Sequence, residues 1–189
     1  MIRRLLPSLL ALTFSMAALG QARHRDPLTD LEVDKVRDAA QLPEVRLKLY
    51  IEFARARLGK VQQAHSDTKA SDREKQTRDA LQDFLDVYDE LNTNVDTYAD
   101  RGSDLRKALK PVIEADTEFG AKLRAFRASL ASNAQEARDD DFLLGSAIEG
   151  VDSGAKDHRN LLAEQEESFK HKKKQDRKED AARDSSRSQ

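Results

Sequence analysis

Three ionisable side chains fall on the apolar faces of predicted helices, where they could either do chemistry or fix packing: Tyr88, Asp116 and His158. We group them as a candidate polar core layer. A carboxylate facing a phenol can form a buried hydrogen bond that sets the register of packed helices. The alternative is a pocket for a small ligand at that layer. Because a lone carboxylate has no partner base or nucleophile, we favour the register role, and for His158 we favour local hydrogen bonding over ligand binding or pH sensing.

The residue types present argue against cofactor, metal and catalytic sites. The chain of 189 residues has no Cys, which excludes disulfides, thiolate metal sites and a Cys nucleophile. None of the four His has an acidic residue three positions earlier, so the Glu-x-x-His pairs of di-iron bundles are missing. The adjacent carboxylates Asp139, Asp140 and Asp141 are more typical of a helix N-terminus than of a calcium loop. We therefore expect no enzyme activity and no cofactor.

A second candidate surface is the basic run Lys170, Lys172, Lys173 and Lys174. Residues 170–189 hold eight basic and four acidic side chains, a net charge of +4, whereas 23–169 hold 23 basic and 31 acidic, a net charge of −8. Three interpretations remain open: a solvated helix end, a tail folded back on the acidic body, or a contact with an anionic envelope surface. Nucleic acid is not an expected partner, because no aromatic platform accompanies the basic run.

Residues 1–22 have the pattern of a secretory signal peptide. Two arginines precede an apolar run that ends at Leu19 and is short for a membrane span. Small residues allow cleavage before Gln21 or before Arg23; we favour the second, and an uncleaved anchor helix is the alternative. We expect an exported protein, periplasmic or extracellular, with no transmembrane span after signal removal.

The composition favours helices over sheets. Charged residues make up 36% of the chain, apolar residues 38% and aromatic residues 5%, so any core is thin and long amphipathic helices suit it. We predict an all-α fold: an antiparallel bundle of four long helices at about 43–65, 72–101, 104–138 and 141–172, preceded by a short helix at about 30–41. The expected organisation along the chain is a signal peptide (1–22), a linker (23–29), the bundle domain (30–172) and a disordered charged tail (173–189).

Local signals mark the helix ends. Thr29 and Glu32 match a capping box, and Ser71–Glu74 match a second one. Gly102 suits the left-handed position that follows a helix. Pro111 predicts a kink two turns into the third long helix, unless the first turns form a separate segment.

Apolar residues recur at alternating steps of four and three, which predicts coiled-coil-like packing. We call these rows stripes. The first long helix has two of them: Val45, Leu49, Phe53 and Ala56, and then Leu47, Ile51, Ala54, Leu58 and Val61. The second has Thr77, Leu81, Phe84, Tyr88, Leu91, Val95 and Tyr98; the third has Leu105, Leu109, Val112, Asp116, Phe119, Leu123, Phe126 and Leu130. The fourth has Leu144, Ile148, Val151, Ala155, His158, Leu162, Gln165 and Phe169, and Gly145, Gly150 and Gly154 could break this helix.

We place the turns of the chain near residues 68, 102 and 140. Pairing residues at equal distances on either side of each turn then predicts which stripe residues lie at the same level of the bundle. One predicted layer contains Phe53, Phe84, Phe119 and Leu161 or Leu162. A second sets Phe126 against Thr77, Leu58, Gly154 and Ala155. A third contains Tyr88, Asp116, Leu49 and Glu164 or Gln165.

The function expected from these features is a non-catalytic protein-interaction or structural role in the cell envelope, with another protein or a second copy as partner. Leu28–Glu32 resembles the Leu-Thr-x-x-Gln element of small all-helical periplasmic stress chaperones, which carry two such elements and a concave hairpin. That resemblance implies an alternative, an envelope stress or chaperone-like protein that binds unfolded chains. A further alternative is a small-ligand carrier that uses the Tyr88 and Asp116 layer.

Overall fold

The computed structural model describes residues 26–130 and 137–187, and within these ranges it contains five helices and no strand. They are α1 (Asp30–Asp38), α2 (Pro43–Ser66), α3 (Arg73–Asp100), α4 (Leu109–Leu130) and α5 (Ala137–Arg187). The predicted all-α bundle is confirmed. The predicted signal peptide and the first residues of the predicted linker lie outside the described residues.

The start of α1 follows the capping signal in the sequence. The Thr29 backbone N–H donates to Glu32 Oε2 at 2.9 Å, and the Glu32 N–H donates back to Thr29 Oγ1 at 3.4 Å. The box predicted at Ser71–Glu74 is wrong, because α3 begins after Asp72 and has no side-chain cap. Gly102 does adopt the left-handed conformation, with φ of 70°, and it ends α3 as expected.

The third long helix begins later than predicted, and this removes the expected kink. Helix α4 starts at Leu109 instead of near 104, so Pro111 is its third residue. Proline is tolerated in the first turn because the N–H it lacks would have no partner within the helix there. The residues before Leu109 form the separate turn that the sequence allowed as an alternative.

The stripes of α3 and α4 form the core. All fifteen residues of these two stripes are buried, including the polar Thr77 and Asp116. On α2 the row from Leu47 to Val61 is buried throughout, whereas Val45 and Ala56 of the other row are exposed. Helix α5 buries Leu144, Val151, Ala155 and His158. The core prediction therefore holds for α3 and α4 and in part for α2 and α5, where Ile148, Leu162, Gln165 and Phe169 of the α5 stripe are only partly buried.

The helices pack as two antiparallel hairpins, α2 with α3 and α4 with α5, which join through α3 with α5 and α2 with α4. Helices α3 and α4 thus face each other across the centre. Their aromatic rings meet there, with Phe84 and Phe119 edge to face at 5.5 Å between centroids. This places the predicted Phe84 and Phe119 layer at the middle of the bundle.

The predicted register of α5 is wrong by about two helical turns. The layer of Tyr88 and Asp116 receives His158 from α5, not Glu164 or Gln165. Gln165 instead caps the turn before α4, where its Oε1 accepts from the Leu105 N–H at 2.8 Å. The cause is the position of the turn: α4 ends at Leu130 and α5 begins at Ala137, so the connection comes before residue 140.

Helix α5 is longer than predicted at both ends. It includes Asp139, Asp140 and Asp141 in its first turns, runs without a break through Gly150 and Gly154, and continues to Arg187. The predicted end near 172 and the predicted disordered segment 173–189 are therefore corrected as far as residue 187. Good helix formers in this segment, chiefly Lys, Arg, Gln, Glu and Ala, explain how a highly charged sequence can remain helical.

One buried ion pair attaches α1 to the bundle. Arg57 on α2 is 5% exposed, and its guanidinium donates to both carboxylate oxygens of Glu32, at 2.8 and 2.5 Å. The hydrogen bonds from Arg57 lower the pKa of Glu32 from 4.5 to about 2. Since the folded pKa is below the unfolded one, this pair stabilises the fold fully above pH 4.5, and the stabilisation is lost as pH falls toward 2.

We therefore expect Glu32→Gln to lower the free energy of unfolding by on the order of 2–3 kcal/mol at neutral pH. Urea denaturation at several pH values measures this difference, which should shrink steadily between pH 4.5 and 2. The control is Asp34→Asn, which removes the exposed partner of Arg37 and should change stability by less than about 0.5 kcal/mol. A Glu32→Gln effect that does not depend on pH would contradict the ion-pair account.

Candidate functional site

Tyr88, Asp116 and His158 form one hydrogen-bonded layer that joins three helices. The Tyr88 hydroxyl donates to Asp116 Oδ1 at 2.8 Å, and His158 Nδ1 lies 2.9 Å from Asp116 Oδ2. The three residues come from α3, α4 and α5 and are 0%, 1% and 4% exposed. Each carboxylate oxygen of Asp116 thus has one partner, and each partner belongs to a different helix.

The surrounding side chains hold this layer in place. One turn after Asp116 on α4, Phe119 packs edge to face on both Phe84 and Tyr88, with centroids 5.5 and 6.3 Å apart. On α5, a Cβ at Gly154 would overlap the Tyr88 hydroxyl. Only a glycine at this position lets the phenol reach Asp116, so Gly154 is part of the arrangement.

Burial determines what the layer can do chemically. The pKa of Tyr88 lies far above its ordinary value, because burial disfavours the phenolate and Asp116 is close by. The phenol therefore stays protonated and acts as a hydrogen-bond donor. His158 contacts Asp116 through Nδ1, so Nε2 is the ring nitrogen that this layer does not use. The layer is suited to joining helices and to presenting one imidazole nitrogen.

A cleft of about 500 Å³ lies beside this layer, between α3 and α5. His158 lines it, together with Asp96 and Asp100 of α3 and Asp157 of α5. Tyr88 and Asp116 are not among its lining residues, so the layer is not a pocket shared by two of the three predicted residues. Asp116 and Tyr88 are enclosed, and only His158 contacts the cleft.

The predicted basic surface lies on α5, at the C-terminal end of the part whose side chains the structure describes. Lys170, Lys172 and Lys173 are exposed, and the side chain of Lys174 lies outside the described side chains. Just before them, the Arg106 guanidinium sits 3.7 Å from the centroid of the Phe169 ring, a cation–π contact that holds this part of α5 against the turn before α4. The lysines therefore begin where this contact ends.

Three residues have roles that were not predicted from the sequence: Gly154 and Asn92 at the site, and Arg57 in the ion pair with Glu32. Gly154 was predicted to lie opposite Phe126 and to be a possible helix breaker, whereas its lack of a side chain accommodates Tyr88. Asn92 lines the cleft, and its Oδ1 is buried without a hydrogen-bond partner. Arg57 lies four residues after Phe53 and four before Val61, and this helical spacing is the signal in the sequence for its burial.

Two further findings concern the described residues as a set. They contain no group of three or more His, Cys, Asp or Glu side chains arranged to hold a metal ion. Their helices include none with the length and apolar character needed to cross a membrane.

Comparison with protein-family models, with curated proteins and with solved structures finds no match for this chain. Arguments about its function therefore start from its own residues.

Proposed function

We propose that the chain is an exported, non-catalytic envelope protein, periplasmic or extracellular, that binds an anionic macromolecular surface through the basic part of α5. The observation that carries this proposal is the exposure of Lys170, Lys172 and Lys173 on a helix whose backbone continues to Arg187. A helix that carries exposed lysines toward its C-terminal end offers a ready docking element.

The charge distribution supports an oriented contact. Residues 170–189 carry a net charge of +4, and residues 23–169 carry −8. An anionic surface attracts the first segment and repels the second, so the bundle would stand away from the surface. Each Lys or Arg side chain near such a surface contributes about 1 kcal/mol to binding. This attraction is screened beyond a distance of roughly 8 Å at physiological ionic strength.

The polar layer supports a non-catalytic role. Both oxygens of Asp116 are occupied by hydrogen bonds from other helices, and Tyr88 is held as a neutral phenol. A carboxylate that acted as a general base would need a free oxygen within reach of a substrate. The arrangement instead fits the register role expected for a single polar core residue.

Binding to lipid vesicles tests the docking surface. The protein should sediment with vesicles that contain phosphatidylglycerol but not with pure phosphatidylcholine, and the bound fraction should fall as salt rises. A variant with Lys170→Gln, Lys172→Gln and Lys173→Gln should lose about tenfold or more in apparent affinity, given the energy expected for each lysine.

The matched control changes the same amount of charge on the body of the bundle. It carries Lys35→Gln, Lys60→Gln and Lys156→Gln, all at exposed positions, and it should bind anionic vesicles like the unmodified protein. Equal binding by the two triple variants, or binding that does not depend on phosphatidylglycerol, would overturn the proposal.

The chaperone alternative loses its main support. Helix-in-groove binding of unfolded chains needs an exposed apolar groove, whereas the stripes of α3 and α4 are buried within one chain. Large apolar side chains that are exposed, such as Leu31, Leu42 and Phe142, belong to three different helix ends. We therefore retain anionic-surface binding as the proposed function.

A further inference from the structure

A pocket of about 460 Å³ lies where the turn before α4 meets α5, beside the first lysine of the basic segment. We call it the lysine pocket. It is lined by four basic and two acidic side chains: Arg106, Lys107, Lys110 and Lys170, and Asp104 and Glu166. The lining therefore has a formal charge of +2, whereas the body of the chain as a whole is acidic.

One of the two acidic side chains is already paired within the pocket wall. The Arg106 guanidinium donates to both carboxylate oxygens of Asp104, at 2.9 and 2.7 Å. In contrast, Lys107, Lys110 and Lys170 form no ion pair with any residue that the structure describes. Three ammonium groups thus share the pocket with the single carboxylate of Glu166, which leaves positive charge for a ligand to balance.

Contacts between α5 and the turn before α4 fix the two walls of the pocket. The Gln165 side chain accepts from the Leu105 N–H at 2.8 Å and donates to the Ser103 carbonyl at 3.0 Å. Four residues later on α5, the Phe169 ring packs against the Arg106 guanidinium. The fold of the bundle therefore brings lysines from the turn, from α4 and from α5 to one pocket.

From these features we propose that the lysine pocket binds the terminal phosphate of an anionic lipid headgroup. The inference rests on the proposed function and names the headgroup that the docking surface selects. A terminal phosphate has a charge of about −1.5 to −2 at neutral pH and three strong acceptor oxygens. The phosphodiester of phosphatidylglycerol has a lower charge and fewer free oxygens. Because each lysine acts on phosphate as a point charge, several lysines in one pocket favour the more highly charged group.

The position of Lys170 connects this pocket to the membrane contact. Lys170 lines the pocket and is also the first residue of the basic run on α5. A bilayer that contacts this run therefore places its headgroups at the mouth of the pocket. Lys107 and Lys110 are exposed, so they extend the docking surface from α5 onto the start of α4.

Sedimentation with two kinds of vesicle tests the inference. One contains phosphatidic acid, which has a terminal phosphate, and the other contains phosphatidylglycerol; both are diluted in phosphatidylcholine to the same zeta potential and measured at constant ionic strength. The full chain should bind the phosphatidic acid vesicles about tenfold more tightly, as expected if one or two further lysines contact the headgroup.

The variant Lys107→Gln with Lys110→Gln should lose this preference and bind the two kinds of vesicle equally. Its matched control is Lys35→Gln with Lys156→Gln, which removes the same charge from exposed positions outside the pocket and should keep the preference. Circular dichroism checks that both variants remain helical, as expected for changes at exposed side chains.

The outcomes separate this inference from the proposed function. Equal binding of the unmodified protein to the two kinds of vesicle would overturn the inference and leave the proposed function standing, whereas no binding to either would overturn both. Retention of the preference by the Lys107 and Lys110 variant, or its loss in the control, would also overturn the inference. Displacement from phosphatidic acid vesicles by inorganic phosphate at constant ionic strength would assign the pocket to a free anion and contradict lipid docking.

Discussion

Asp116→Ala is expected to lower the free energy of unfolding by about 3–5 kcal/mol, as for removal of one partner of a buried charged network. The carboxylate accepts hydrogen bonds from α3 and α5 at once. Its removal leaves the Tyr88 hydroxyl and the His158 ring nitrogen buried without their partner, and it opens a space at the centre of the bundle. Urea denaturation followed by circular dichroism measures the loss.

Two variants control this result. Asp116→Asn keeps the size of the side chain and one carbonyl oxygen for Tyr88, so it should cost less than Asp116→Ala. Asp96→Ala removes an exposed carboxylate from α3 and should change stability by less than about 0.5 kcal/mol. A loss below about 1 kcal/mol for Asp116→Ala would mean that the layer does not join the helices, since surface substitutions fall in that range.

Phe119→Ala is expected to cost about 3–5 kcal/mol, the usual range for truncating a buried phenylalanine. Its ring is 0% exposed and packs on both Phe84 and Tyr88. Because these rings come from α3 and α4, which face each other across the bundle, the cavity left behind lies at the centre and neighbouring helices close it poorly. Thermal and urea denaturation both measure this effect.

Phe142 supplies the matched control, since it is 83% exposed. Phe142→Ala removes the same atoms from α5 and should change the free energy of unfolding by less than about 0.5 kcal/mol. If the two alanine variants melted within a few degrees of each other, α4 would lie at an edge of the fold and not opposite α3.

The core of α3 and α4 was predictable because residues that face the core recur in the sequence at helical spacing. A residue such as Leu91 or Leu123 falls on a stripe with steps of four and three, and such a stripe must face other helices. The same reasoning placed Asp116 on the core side, since its position is fixed by apolar neighbours on its own helix. The apolar face of one helix can be identified without knowing where the other helices lie.

The register between helices was not predictable in the same way. The register depends on where the chain turns between two helices. If the turn is placed one residue too late, each residue of the first helix is paired with a residue two positions too late on the second helix. The connection between Leu130 and Ala137 was placed too late, so Gln165 was assigned to the layer that His158 occupies. Nothing in the local pattern around His158 distinguished it from Gln165, because both lie on the same stripe.

The site was predictable in its residues but not in its surroundings. Tyr88 and Asp116 could be paired because the turn at Gly102 was placed correctly. The cleft could not be foreseen, since it depends on how close α3 and α5 lie and on the two glycines, Gly150 and Gly154, that line it. The pairing of Arg57 with Glu32 was also hidden, because it joins residues 25 positions apart through a contact between α1 and α2.

The central claim is that the Tyr88, Asp116 and His158 layer is a structural connection between helices, and a double-mutant cycle tests it most directly. Urea denaturation of Tyr88→Phe, Asp116→Ala and the double variant gives the coupling energy. In the unmodified protein, loss of the Tyr88 hydroxyl removes a hydrogen bond to a carboxylate and should cost about 1.5–3 kcal/mol. In the Asp116→Ala background the hydroxyl has no partner in this layer, so its removal should cost almost nothing. A coupling of about 1.5 kcal/mol or more is the result we predict, and additivity within about 0.5 kcal/mol would contradict the account.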